Sequence, residues 1–89
     1  MLQLPATLTH VQATECLQGL VQALSLQSNE ALLDASELKE FDSSALAVVM
    51  ELRRACQRCG KALVVHGLPP SVVELATLYG VESLLGQHA

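Results

Sequence analysis

The chain has 89 residues and a mass of 9.5 kDa, the size of one small domain, so we expect residues 1–89 to form a single domain. Its net charge is −4 with only 5 Lys and Arg residues, too few cations to neutralise a run of phosphates. We therefore expect neither nucleic acid nor an anionic membrane surface as a direct ligand. The first residues, from Met1 to Pro5, contain no positive leader and no long apolar run, so we expect a cytoplasmic protein without direct membrane insertion.

The composition favours a core of aliphatic side chains. Hydrophobic residues make up 51% of the chain but aromatic residues only 2%, so Leu, Val and Ala must fill the interior. Charged residues make up 16%, below the roughly 25% of an average soluble domain. Some apolar surface is therefore expected to be covered by a partner.

The chain alternates strand-like and helix-like segments, in the order strand, helix, strand, helix, strand, helix. This order predicts an α/β fold with a single, at least partly parallel, sheet and helices packed on it. The first strand, within residues 2–8, contains Pro5, which is typical of an edge strand. Thr9 and Gln12 have the spacing of a capping box, which predicts that a helix opens at Thr9. Its predicted apolar stripe consists of Leu17, Leu20, Val21 and Leu24.

Residues 31–35 form a short apolar run, which predicts a central strand covered on both faces. After it, Asp42-Ser43-Ser44 precedes a long apolar-periodic segment, so Ser43 or Ser44 is the predicted N-cap of the second helix. Gly60 is its predicted end. The inward face of this helix is predicted to contain Ala45, Val48, Val49, Leu52, Cys56 and Cys59.

Residues 61–66 are predicted to form the third strand, which Gly67 and the two following prolines end. The capping-box spacing of Ser71 and Glu74 predicts the last helix, which ends at Gly80. The loops after the second and third strands should then meet at one end of the sheet. The inward face of the last helix is predicted to contain Val72, Leu75, Ala76 and Tyr79. A short apolar tail turn is predicted to follow, with Val81, Leu84 and Leu85.

Cys56 and Cys59 form a C-x-x-C motif, but it falls in the last turn of the predicted helix. The helix dipole disfavours a thiolate there, and beyond His66 no further zinc ligand has matching spacing. We therefore expect reduced, structural thiols and no metal or cofactor, with a redox or zinc protein as a minor alternative. The histidines show no triad spacing, and the acidic residues between Asp34 and Asp42 come without a glycine-rich phosphate loop. We expect no catalytic residues and no enzyme.

Two local features suggest binding. Arg53, Arg54, Arg58 and Lys61 place positive charge at the end of the second helix, where it can complement the helix dipole or dock an acidic partner. Asp42-Ser43-Ser44 can serve as a helix cap or as a docking surface. A phosphate on Ser43 would meet both the positive helix end and the repelling carboxylate of Asp42.

Leu33-Asp34-Ala35 followed by Phe41-Asp42-Ser43-Ser44-Ala45-Leu46 resembles a STAS domain. This family includes the SpoIIAA-type anti-sigma-factor antagonists, in which the first Ser of a D-S-[ST]-G-L motif accepts phosphate from a kinase. Ser43 matches that position, while Ala45 replaces the glycine. Residues 74–81 are similar to the final helix of MlaB-like subunits of bacterial Mla phospholipid ABC transporters.

The MlaB-like resemblance implies a cytoplasmic, non-catalytic accessory subunit that binds the transporter's ATPase subunit and supports its assembly and activity. It would lie at the inner membrane through that partner and help to keep phospholipids out of the outer leaflet of the outer membrane. The alternative is an anti-sigma-factor antagonist whose partner, an anti-sigma factor kinase, phosphorylates Ser43. The residues expected to bind the partner are Asp42, Ser43, Ser44, Met50, Arg53 and Arg54.

Overall fold

A computed structural model describes residues 1–81. Its elements in chain order are β1 (Leu2–Gln3), β2 (Thr7–Leu8), α1 (Ala13–Leu24), β3 (Glu30–Asp34), β4 (Glu40–Phe41), α2 (Ser43–Arg58), β5 (Ala62–His66) and α3 (Pro70–Leu78). The α/β fold class predicted from the sequence is confirmed. None of these helices is long and apolar enough to cross a bilayer. The predicted tail residues Leu84 and Leu85 lie outside the described part of the chain.

The main sheet has the strand order β1-β3-β5, and its strands are all parallel. The edge position predicted for the first strand is found for β1, but the strand does not continue to residue 8. It breaks at residues 4–6, and β2 instead pairs with β4 in a separate two-stranded sheet. The break follows from Pro5, which has no N–H to donate. The carbonyl of Ala6 then accepts from the N–H groups of Lys39 and Glu40 at 2.8 and 2.9 Å.

The helices α1 and α2 pack against each other, and they cover one face of the main sheet. The crossovers from β1 to β3 and from β3 to β5 step in the same direction, and right-handed crossovers of this kind place their helices on the same side. Buried and exposed residues therefore alternate along β3, where Leu33 is fully buried and Leu32 is 40% exposed. The prediction that residues 31–35 are covered on both faces is wrong.

The helix α1 begins four residues after Thr9. Thr9 and Gln12 form a turn, in which the side-chain oxygen of Gln12 accepts from the backbone N–H of Thr9 at 2.9 Å and from its hydroxyl at 2.8 Å. These contacts hold the predicted pair together, but as a turn before the helix rather than as its cap. Leu20 and Leu24 are buried, whereas Val21 is 40% exposed, so the buried stripe is narrower than predicted.

The helix α2 ends at the predicted glycine. Gly60 has a φ of 71°, and the N–H of Lys61 reaches back to the carbonyl of Cys56 at 2.8 Å, which is the Schellman pattern. This geometry places Cys59 at the C-cap, beyond the last buried turn, where its side chain is exposed. The prediction that Cys59 faces inward is wrong, while the other five residues assigned to that face are buried.

The helix α3 also ends in a Schellman pattern. Gly80 has a φ of 71°, and the N–H of Val81 donates to the carbonyl of Ala76 at 2.9 Å. Tyr79 therefore stands at the C-cap and is 62% exposed. Its predicted inward orientation is wrong, because the half-buried Val81 packs against the core instead.

The start of α3 differs from the predicted capping box. Pro69 is the N-cap and Pro70 the first helical residue, with no side-chain cap bond. Proline suits the first position because its fixed φ is helical and its missing N–H has no partner there. Ser71 is consequently inside the helix, and its predicted pairing with Glu74 is not formed.

The loops after β3 and β5 meet at the carboxyl end of the sheet, as predicted. The N–H of Ala35 donates to the carbonyl of His66 at 2.7 Å. Gly67 has a φ of 77°, and a Cβ atom at this position would stand 3.0 Å from the Cβ of Ser36. Only glycine satisfies both the positive φ and the close approach.

The core assignment of α2 predicts the effect of shortening Leu52, which is 0% exposed. Leu52→Ala should lower the free energy of unfolding by about 2 to 5 kcal/mol, because it leaves a cavity in a packed interior. Urea denaturation measures the change. As a matched control, Leu78→Ala removes a leucine that is 80% exposed and should change the unfolding free energy by less than about 0.5 kcal/mol. Equal effects would contradict the assignment.

Candidate docking site

Asp42 opens α2. Its backbone is extended, with φ −127° and ψ −166°, and its Oδ1 accepts from the backbone N–H of Ser44 at 2.8 Å. Asp42 is thus the N-cap, and the prediction of Ser43 or Ser44 in that role is wrong. The charged carboxylate makes a stronger bond than a hydroxyl and is favoured at the positive end of the helix dipole. Ser43 and Ser44 become the first two helical residues.

His10 is a second partner of the same carboxylate. Oδ2 of Asp42 accepts from the backbone N–H of His10 at 3.1 Å and lies 3.4 Å from its Nδ1. The parallel register pairs Leu8 with Phe41, which brings the residues that follow both strands together. The side chain of Asp42 therefore joins the turn before α1 to the start of α2.

These hydrogen bonds keep Asp42 ionised. The backbone N–H of Ser44 is the strongest influence that lowers its pKa, and His10 adds to it. Together they outweigh partial burial and hold the pKa of Asp42 at about 2, below its ordinary value of 3.8. The candidate site therefore carries a fixed negative charge at neutral pH.

The two serines face different grooves along α2. Ser43 is exposed and lines a groove of about 310 Å³ between α2 and the end of α3, which we call the α2–α3 groove. Ser44 is half-buried and lines a smaller groove of about 170 Å³ between α1 and α2. The small side chain of Ala47 borders both grooves. The residues that line the α2–α3 groove are Ser43, Leu46, Ala47, Met50, Tyr79 and Val81.

The predicted partner-binding residues only partly come together. Ser43 and Met50 line the same groove, and Arg54 continues their side of the helix. At 1.5 Å per residue, the stretch from Ser43 to Arg54 is about 16 Å long. Arg53 is half-buried on the adjoining row. Arg54 is exposed and binds Glu51 within its own helix, with 2.5 Å between Nη1 and Oε1.

At the basic end of α2, Lys61 forms hydrogen bonds with another part of the fold. The Nζ of Lys61 donates to the carbonyls of Gln27 at 2.7 Å and Ser28 at 3.3 Å, and so fixes the loop between α1 and β3 to the residue before β5. Arg58 is exposed in the last turn of α2, where a cation complements the helix dipole. Lys61 thus has a structural role, whereas Arg54 pairs with Glu51 on the surface of α2.

His10 and Tyr79 belong to the site region but were missed as site residues. No local pattern in the sequence places His10 near Asp42, because their approach depends on the pairing of β2 with β4. Tyr79 follows the helical period of the inward face, and the C-cap geometry at Gly80 turns it outward.

The two thiols of the C-x-x-C motif lie in different environments, with Cys56 buried and Cys59 exposed. Cys56 is fully buried, and burial, followed by the nearby Cys59, raises the pKa of its thiol, while Lys61 acts in the opposite direction. A buried thiol with a raised pKa is a poor nucleophile. Among residues 1–81, no group of three or more His, Cys, Asp or Glu side chains is placed to hold a metal ion. His88 lies outside these residues.

The cap predicts an acid-dependent stability. Because folding lowers the pKa of Asp42 to about 2, its stabilising contribution is complete above the unfolded pKa near 3.8 and is lost as the pH falls towards 2. Asp42→Asn should lower the melting temperature at pH 7, and the melting curves of the two proteins should converge near pH 2. Thermal unfolding monitored by circular dichroism from pH 7 to 2 measures this. Glu74→Gln changes an exposed carboxylate on α3 and is the control. Its melting temperature should depend on pH in the same way as that of the wild type. Parallel curves for Asp42→Asn and the wild type would contradict the role of the cap.

The family assignment rests on nearly the whole chain. A family model described as "Mlab, STAS domain" matches residues 1–86. No curated protein matches the chain. The small parallel sheet and the three helices agree with the family match. The chain belongs to the STAS domain family.

Proposed function

We propose that this STAS domain is a non-catalytic, MlaB-like accessory subunit that binds the ATPase subunit of a Mla-type phospholipid ABC transporter. Binding would support the assembly and activity of the ATPase, and so help to keep phospholipids out of the outer leaflet of the outer membrane. The protein would be cytoplasmic and lie at the inner membrane through this partner. The family model that matches the chain carries the Mlab description, which supports this choice within the family.

The observation that carries the proposal is the position of Ser43. It is the first residue of α2, its side chain is exposed, and it borders the α2–α3 groove together with Met50 and Tyr79. Small side chains at Ser43 and Ala47 allow another protein surface to approach the helix closely. The arginines farther along α2 would meet acidic groups of the partner.

The arrangement around Asp42 supports a binding role rather than catalysis. In a serine hydrolase the imidazole contacts the serine hydroxyl, and the carboxylate orients the imidazole. Here the carboxylate of Asp42 lies between His10 and Ser44, and its Oδ1 binds the backbone of Ser44. The imidazole is thus not placed to deprotonate either serine, and we infer that the corner is not a nucleophilic site.

The alternative function is that of an anti-sigma-factor antagonist controlled by phosphorylation of Ser43. The exposed position of Ser43 at the start of a helix favours it, because a kinase can reach the hydroxyl and the helix N-terminus attracts phosphate. Ala45, which replaces the motif glycine, is fully buried beneath the corner and is thus not part of its exposed surface.

The docking proposal predicts that Ser43→Glu separates binding from folding. An acidic residue is tolerated in the first turn of a helix, so the melting temperature should change little. A charge buried in the interface should weaken affinity for the ATPase subunit about tenfold or more. Co-purification and surface plasmon resonance with the ATPase subunit measure the loss.

Ser71→Glu is the matched control, because Ser71 is an exposed serine in the first turn of a different helix, α3. It should bind the ATPase subunit like the wild type. Equal loss of binding in both variants, or full binding by Ser43→Glu, would contradict the docking surface.

The two candidate functions predict different modification states. After incubation with ATP and cell extract, the transporter subunit should keep its unmodified mass, whereas the antagonist should gain one phosphate on Ser43. Intact-mass spectrometry of the wild type and Ser43→Ala distinguishes them. A phosphate that appears on the wild type and is absent from Ser43→Ala would favour the antagonist.

A further inference from the structure

A second cleft lies away from the α2–α3 groove. Its volume is about 570 Å³, and it lies between the segment that joins β1 to β2 and the helix α1. Leu4 and Leu20 are buried at its base, so the cleft has an apolar floor. The uncharged residues that shape it include Leu4, Pro5, Ala6, Cys16, Gly19 and Leu20.

Gly19 is unusual because the fold does not require a glycine at this position. It lies in the middle of α1, where glycine is less favourable than alanine, and it is not among the residues of positive φ. A Cβ atom added to it would meet no heavy atom within 4 Å. Because Gly19 has no side chain, nothing projects from α1 into the cleft at this position, and a ligand can approach the helix backbone.

The charges of the cleft have one sign. Of the described residues that line it, Glu15 on α1 and Glu37 in the loop after β3 are the charged ones. Both are exposed, and neither forms an ion pair within residues 1–81. Burial raises the pKa of the Cys16 thiol, so this residue adds no negative charge at neutral pH. An apolar floor between two unpaired carboxylates suits a cation with an aliphatic stem.

We propose that this cleft binds a basic segment of a partner protein, which lays the stem of an Arg or Lys side chain over Leu4 and Leu20 and places its charge beside Glu15 and Glu37. Long cationic side chains combine an apolar stem with a charged end in this way. A hydrated metal ion would make no use of the apolar floor. The cleft lies outside the proposed docking surface, so a partner can occupy both, and the inference does not depend on the identity of the ATPase.

Selection from a phage-displayed library of random 12-residue peptides tests the proposal on the full chain. The selected peptides should be rich in Arg or Lys next to apolar residues. A synthetic peptide of the consensus sequence, followed by fluorescence polarisation, should bind the wild type more weakly as salt concentration rises. Selection of acidic peptides, or of none, would overturn the proposal.

Three variants assign the binding to the cleft. Gly19→Gln fills the cleft and should weaken peptide binding about tenfold or more, while the melting temperature does not fall because glutamine favours helix. Glu15→Gln combined with Glu37→Gln should weaken binding about tenfold and reduce its salt dependence. Glu30→Gln combined with Glu74→Gln removes two exposed carboxylates elsewhere and should leave binding unchanged. Unchanged binding to the Gly19→Gln variant would overturn the proposal.

Discussion

Burial of one face of the parallel sheet β1-β3-β5 beneath α1 and α2 is the constraint from which the arrangement of the molecule follows. With few aromatic residues, the interior depends on closely packed Leu, Val and Ala side chains, and α2 supplies many of them. Because both crossovers step in the same direction, the two helices lie side by side. One side of α2 therefore packs in the core, and its other side borders the grooves with α1 and α3.

Asp42 connects this packing to the candidate site. One oxygen of its carboxylate caps α2 and the other receives the N–H of His10, so a single side chain fixes the start of one helix relative to the turn before another. Ser43 is held at a defined point of the surface as a result. This corner presents a small exposed hydroxyl next to the α2–α3 groove, and the proposed docking role depends on that arrangement.

The surface divides into regions of different chemistry. The α2–α3 groove joins small, apolar and aromatic side chains and leads towards the arginines of α2, whereas the cleft beside Gly19 is rimmed by unpaired carboxylates. A partner that uses both would need acidic groups near the arginines of α2 and basic groups in the cleft. Such an alternation favours one orientation of the complex over others, because the reversed orientation would bring like charges together.

The sequence by itself determined the alternation of β1, β3 and β5 with the three helices, but not the short strands β2 and β4. It also determined the extent of α2, most of its buried face and the glycines that end α2 and α3. These features depend on local periodicity and on the backbone freedom of single residues, which are legible without knowledge of the fold. The same local reasoning located the Asp42-Ser43-Ser44 corner. Local reasoning assigned the cap to a serine, because any serine or aspartate at this point can cap a helix. The contact of Asp42 with His10, which only the fold creates, was not visible to it.

Only the tertiary structure decided how the first strand divides at Pro5, why Leu32 remains partly exposed, and that His10 contacts Asp42. It also decided the outward position of Tyr79. The first three depend on segments far apart in the chain, through the pairing of β2 with β4 and the side of the sheet that the helices cover. The position of Tyr79 follows from the C-cap geometry at Gly80, which lets Val81 pack against the core. Hydrophobic period specifies which side of an element is apolar, but the register between elements determines which residues meet.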